Sequence, residues 1–314
     1  MAAGGDTMLF SSILIVLGLA LFESITSIDN AIINAETLAT MQPKARKWFL
    51  SWGILLAVFG VRGVLPWFLV WIMTPGLSPW QALTASLTGD PAALDAIQKS
   101  APVLLMGGGI FFIFLFLHWI FIEPKTYGLP VEALIARQGA WFYAVVSILL
   151  TVVVWFALGQ NPMLAFGAVV GSTGFFITHG FRRYAEDQEQ RLARGEGHLS
   201  DIGKILYLEA IDTTFSIDGI VGAFAFTLSV PLILIGNGIG SIIVRQLTYY
   251  GVQEIKKYVY LKNGAMYSIL VLGVVMLAHG YGVHVPEWVS PAATFLIVGY
   301  FFLKSLFSAR RSVI

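Results

Sequence analysis

Nine stretches of about 20 mostly apolar residues dominate this chain, at residues 9–33, 48–73, 102–122, 140–158, 163–180, 203–228, 231–252, 264–282 and 291–308. A run of that length crosses the hydrocarbon core of a bilayer as an α-helix. Helix is also the form in which one lipid-embedded segment satisfies its own backbone groups. The expected fold class is therefore all-α: a polytopic transmembrane helix bundle of about nine helices. Composition agrees, with 57% hydrophobic and 12% charged residues, about half the charged share of a soluble domain. Turn chemistry marks several joins, at Thr74-Pro75-Gly76, Gln160-Asn161-Pro162 and Ser229-Val230-Pro231.

Alternating sides through nine spans places 16 of the 19 basic residues at one end, from Lys44 to Arg311, and only Lys99 at the other. Arg62 and Arg245 fall within spans. By the positive-inside rule the amino terminus is expected outside and the carboxyl terminus in the cytoplasm. No basic residue precedes Lys44, so the first stretch lacks the charged start of a cleaved signal peptide and reads as a retained helix. Residues 1–180 form an expected first membrane half, 181–202 a cytoplasmic linker and 203–314 a second half. The segment from Arg182 to Asp201 reads as a short polar helix broken at Gly195-Glu196-Gly197. The outer segment from Pro75 to Ser100 has room for a short surface helix.

The chain repeats itself. Glu23-Ser24-Ile25-Thr26-Ser27-Ile28-Asp29-Asn30 in the first span and Asp212-Thr213-Thr214-Phe215-Ser216-Ile217-Asp218-Gly219 in the sixth both read acid, five residues, acid, with Ser-Ile before the second acid. The second and seventh spans each hold one arginine, Arg62 and Arg245, and the third and eighth one histidine, His118 and His279. Paired spans lie five apart, so the copies cross the bilayer in opposite directions. Inverted repeats of this kind build many secondary transporters, with the substrate site near the midplane.

Five acids, Glu23, Asp29, Glu209, Asp212 and Asp218, fall within spans against the two arginines, a formal surplus of three negative charges. A charge at the bilayer centre costs roughly 2.5–3.5 kcal/mol even on the lenient insertion scale. A bound cation answers that demand. Carboxylates with Ser27, Asn30, Thr213, Ser216 and backbone carbonyls suit a hard divalent ion such as magnesium, manganese or calcium. Six residues turn a straight helix through about 600°, which sets Glu23 and Asp29 about 120° apart. Both reach one ion only where the helix unwinds, and Asp29-Asn30 and Asp218-Gly219 are the expected break points. Glu209 and Asp212 share a face at i and i+3, which leaves one of them for a proton, an arginine or a second ion.

Other chemistries are thinly represented. With no cysteine there is neither disulfide nor thiolate site. No basic stripe interleaved with aromatics points to nucleic acid. No Ser-His-Asp set or closely spaced His pair points to an enzyme. His118 and His279 read first as packing or hydrogen-bonding residues and second as members of a proton relay. Gly107-Gly108-Gly109 and Gly236-Asn237-Gly238-Ile239-Gly240 lack the βα context of nucleotide loops and read as close helix packing. The nine tryptophans, and phenylalanines such as Phe111 to Phe116, read as lipid contact and interfacial belt.

The two acidic motifs resemble the paired signatures of the TerC family of integral membrane proteins, and the likeness to its uncharacterised branch extends over nearly the whole chain. The resemblance implies metal homeostasis, with manganese(II) as first substrate and ligand roles on Glu23, Asp29, Asn30, Asp212 and Asp218. Ser27, Ser216 and Glu209 complete the candidate set. Asn30 faces Gly219 in the alignment of the copies, so the implied site is not fully symmetric. The expected protein is a secondary transporter exporting divalent cations with proton coupling from a bacterial inner membrane. It carries no prosthetic group, and self-assembly is left open. The alternative is a non-transporting or metal-sensing partner of the TerC type, acting in metal or tellurite resistance or in envelope protein assembly.

Overall fold

The computed structural model describes residues 2–39, 41–53, 60, 64–193, 200, 202–206, 208, 217–251 and 257–311. Among these there is no strand. Seven helices are long and apolar enough to cross a membrane: Leu9–Thr26, Pro91–Phe121, Gly139–Gln160, Pro162–Phe181, Val230–Tyr249, Leu261–Gly280 and Val289–Ala309. They fit a multi-pass membrane protein and coincide with seven of the nine expected spans. The other two, 48–73 and 203–228, run across residues outside the described ones.

The helices that position the site are α1 (Ala2–Thr26), α2 (Ile28–Ala39), α3 (Pro43–Trp48), α4 (Val64–Met73), α5 (Pro79–Thr88), α6 (Pro91–Phe121), α7 (Pro130–Ala136), α8 (Phe142–Gln160), α9 (Pro162–Ala193), α10 (Ile217–Ala223), α11 (Val230–Gln246), α12 (Leu261–Gly280) and α13 (Val289–Arg311). The expected surface helix near Pro75 is α5. It starts on a capping box in which Ser78 and Gln81 bond each other's backbone N–H, and it ends on Gly89 at φ 64°. The third span begins at Pro91, not at 102. Asp90 caps the helix through the N–H of Ala92, Pro91 occupies the first turn, and Pro102 is carried inside. The polar stretch after Arg182 is no separate helix, because α9 continues from the fifth span to Ala193. Gly195, Glu196 and Gly197 lie outside the described residues.

Helix α6 is the hub. In its apolar window 78% of residues are buried, against 22% for Gly139–Gln160 and Val289–Ala309, which marks those two as peripheral. It packs on α9 and α12, while α1 packs on α11 and α13. Its phenylalanines correct one expectation. Phe111, Phe112, Phe114 and Phe116 are all buried, since a helix apolar all round belongs in the interior. Tryptophans such as Trp80, Trp141, Trp155 and Trp288 are instead exposed on the surface of the bundle. The glycine triplet does serve packing. A Cβ on Gly107 would meet the carbonyl of Gly167, and one on Gly109 the Leu277 side chain and the carbonyl of Gly273. Small residues here let backbones approach as they do in membrane bundles.

Candidate cation site

Glu23 is 1% exposed and lies where α1 meets α10 and α11. Two glycines make the space. A Cβ on Gly240 would come within 2.6 Å of the Cβ of Glu23, and one on Gly219 would fall on Oε2 of its carboxylate. Gly219 follows Asp218, which is 9% exposed at the start of the described part of α10. The first acid of one motif copy thus abuts the residue next to the second acid of the other. Ser27 Oγ donates to Glu23 Oε1 at 3.0 Å, so the expected Ser27 oxygen does belong to this locus.

The expected break points need correction. Asp29-Asn30 lies in α2 and Asp218-Gly219 in α10, both helical. The interruption falls at Ser27, between α1 and α2. Its cause is a run of hydroxyls that turn back onto the helix carbonyls: Ser24 Oγ to Ala20 O at 2.6 Å and Thr26 Oγ1 to Phe22 O at 2.9 Å. Such back-bonding bends helices. The bend is slight, because Ser27 N–H still reaches Glu23 O at 3.2 Å and Ala31 N–H reaches Ser27 O at 3.0 Å. The side chains of Asp29 and Asn30, and residues Glu209, Asp212, Thr213 and Ser216 entirely, lie outside what is described. Among the described residues no three His, Asp or Glu side chains gather to hold an ion.

Asn237, on the same helix as Gly240, is a buried polar residue that its glycine-rich sequence did not single out. Its side chain is 0% exposed, and neither its amide oxygen nor its amide nitrogen has a hydrogen-bond partner. It stands one turn from Gly240 on α11. The glycines that flank it do pack closely, Gly236 against Leu19 and Gly240 against Glu23, and that packing signal masked the amide. Arg245 sits two turns further along, buried, with its guanidinium 4.0 Å above the Phe49 ring. Arg62 lies outside the described residues.

A cavity of about 490 Å³ opens at the end of the bundle poor in basic residues, lined among others by Gln98, His279, Glu287 and Phe226. Phe226 packs on Phe22 with ring centroids 5.8 Å apart, and Phe22 on Phe112 at 6.0 Å. Phe22 directly precedes Glu23, so this aromatic cluster links the cavity wall to the turn of α1 that carries Glu23. His279 is turned to the loop backbone, its Nε2 3.1 Å from Val285 N.

His118 belongs to a second cluster at the opposite end. It lies with its ring centroid 3.8 Å from that of His179, and its Nδ1 is 3.4 Å from Glu123 Oε1. Lys262 Nζ reaches Glu123 Oε2 at 3.1 Å, joining the end of α6 to the start of α12. Burial pushes the Glu123 carboxyl up, but the adjacent His118 imidazole and the charge of Lys262 outweigh this and hold it well below the usual carboxylate range. Nearby, the fully buried Glu132 accepts from Gly128 N at 2.7 Å and from Asn263 Nδ2 at 2.9 Å. Lys304 Nζ donates to the carbonyl of Gly128. These contacts brace the loop after α6 against α12 and α13. Glu123 and Glu132 both lie in the join between the third and fourth spans, outside the apolar stretches, where Glu123-Pro124 reads in the sequence as turn chemistry alone.

The family of proteins of unknown function DUF475 matches residues 28–312. The chain belongs to the DUF475 family. No curated protein and no solved structure matches it. The DUF475 description assigns no activity, so a function for this member has to be argued from the Glu23 locus itself.

Proposed function

We propose that this DUF475 protein is a secondary transporter that binds a divalent metal cation, manganese(II) first, at the Glu23 locus and exports it in exchange for protons. One observation carries the reading: Glu23 from the first acidic motif is buried against Gly219 of the second, the residue after the buried Asp218, inside an apolar bundle. A carboxylate held away from water loses its hydration, and a second one near it adds repulsion. A divalent cation relieves both costs, and protonation is the other way to relieve them. The competition between ion and proton at the same oxygens is the basis of exchange. Carboxylate and hydroxyl oxygens favour a hard ion.

Helix pairing supports an inverted repeat. With α1, α4 and α6 matched to α10, α11 and α12, the contact of α1 with α11 has its counterpart in that of α4 with α10. The contact of α6 with α12 is its own counterpart, and there Gly109 and Gly273 each approach the other's carbonyl. Rocking of one copy against the other would open Glu23 to either side in turn. The charge asymmetry of the sequence orients the Gln98–His279 cavity to the outside, making it the release vestibule, with Phe22 and Phe226 closed beneath it.

The test is manganese(II) flux into proteoliposomes across a pH gradient of either sign, for the unaltered protein, Glu23→Gln and Asp218→Asn. Glu23→Gln keeps an oxygen for Ser27 to donate to, so folding is preserved while the charge is lost. The expected result is gradient-driven flux in the unaltered protein and at least tenfold less in either variant. Absence of flux under both gradients rejects transport. Full flux in both variants rejects the site.

A further inference from the structure

Given the cation site proposed at Glu23, we infer that Asn237 is a further ligand, supplying its amide oxygen to the ion from α11. Buried amides are almost always hydrogen-bonded, and leaving a buried polar group unsatisfied costs about 1–3 kcal/mol. Asn237 is 0% exposed with both amide atoms unsatisfied. Its direction is set by the helix. Ile235, Ile239 and Ile242 are 50%, 41% and 50% exposed and define the outward stripe of α11. At about 100° per residue, Asn237 points opposite that stripe, into the bundle. Gly236 and Gly240 on its flank bring α11 against Leu19 and Glu23 of α1, so Asn237 stands on the stretch of α11 that packs along the Leu19–Glu23 turn of α1. Ser241, the next residue on the same inward face, turns its hydroxyl to the carbonyl of Asn237 at 2.7 Å and leaves the amide as the open polar group.

An amide oxygen is a neutral hard ligand of the kind that divalent cations accept beside carboxylates. It adds coordination without adding to the negative charge the membrane must bear. It also explains why an amide without a bonding partner is tolerated at a fully buried position: the cation completes its bonding.

The ligand role predicts an outcome that a packing role does not. Asn237→Leu keeps the branched shape, at somewhat larger volume, and deletes the unsatisfied atoms. Thermal unfolding of the purified full chain in detergent, titrated with manganese(II), reads both effects. The expected result is a melting temperature without metal that is equal or higher in Asn237→Leu, and a manganese affinity at least tenfold weaker. A lower melting temperature without metal and unchanged affinity would make Asn237 structural and overturn the inference. Asn237→Asp provides a second arm, keeping the oxygens and adding a charge. It is expected to bind manganese(II) more tightly than the unaltered protein, and unchanged affinity there also counts against the ligand role. If manganese(II), magnesium and calcium all fail to stabilise the unaltered protein, the cation site and the Asn237 assignment fall together. If only the Asn237 variants keep full affinity, the site stands and this assignment alone falls.

Discussion

The carboxylate of Glu23 occupies the space in which a Cβ of Gly219 would sit. That contact joins two motifs almost 200 residues apart in sequence, and it depends on the missing side chain. Gly219→Ala therefore has to move the Glu23 carboxylate or part α1 from α10. Overpacking of this kind costs about 1–3 kcal/mol. The expected result is a lower melting temperature and a manganese affinity reduced severalfold or more. A variant with native affinity would show that the Glu23–Gly219 contact does not shape the site.

The aromatic cluster at Phe22 gives a prediction about access. The chain has no cysteine, so single cysteines report directly. His284 lines the cavity and is exposed, whereas Ser27 is buried and touches the Glu23 carboxylate. On the proposed orientation, a cationic, membrane-impermeant thiol reagent applied from outside should label His284→Cys quickly and Ser27→Cys slowly. Adding Phe226→Ala should raise Ser27→Cys labelling about tenfold and leave His284→Cys labelling unchanged, the latter reporting an intact fold. Equal labelling of the two positions with Phe226 in place would contradict the closed cluster.

Glu123 sets a pH dependence at the other end of the bundle. Its carboxyl is held below an ordinary value near 4.5. A depressed carboxyl adds stability that is complete above the ordinary value and is lost as pH falls from about 4.5 toward the folded-state value. Melting temperatures of the unaltered protein should therefore drop on acidification below about pH 4.5. Glu123→Gln should show a shallower drop there and a loss of roughly 1 kcal/mol at neutral pH, since the pair with Lys262 is partly solvated. Parallel curves for the two proteins would show that this cluster adds nothing.

The sequence allowed some of this to be read and hid the rest, for physical reasons. Apolar length marks a helix whatever its neighbours, so seven of the expected spans are found as long apolar helices, the third of them extended back to Pro91. Gly107 and Gly109 were readable as packing because glycine in a membrane helix has few other uses. The partner of Glu23 was not readable. Spacing along one helix drew attention to Glu23 with Asp29, whereas the observed proximity is to Gly219 across the bundle, created by absent Cβ atoms. The helix interruption was looked for at Asp29-Asn30 on backbone tolerance, yet the hydroxyl run from Ser24 to Ser27 sets it by back-bonding. Phe111 to Phe116 look the same whether they face lipid or core, and only the central place of α6 decides. Asn237 was overshadowed by its own glycines.

The most direct test of the central claim is to locate the ion. Anomalous scattering from crystals of the full chain grown with manganese(II) reports its position without reference to transport. The expected result is a single strong peak within coordinating distance of a Glu23 oxygen and an Asp218 oxygen. A peak at the Glu123–His118–His179 cluster with none at Glu23, or no peak in the bundle at all, would contradict the account.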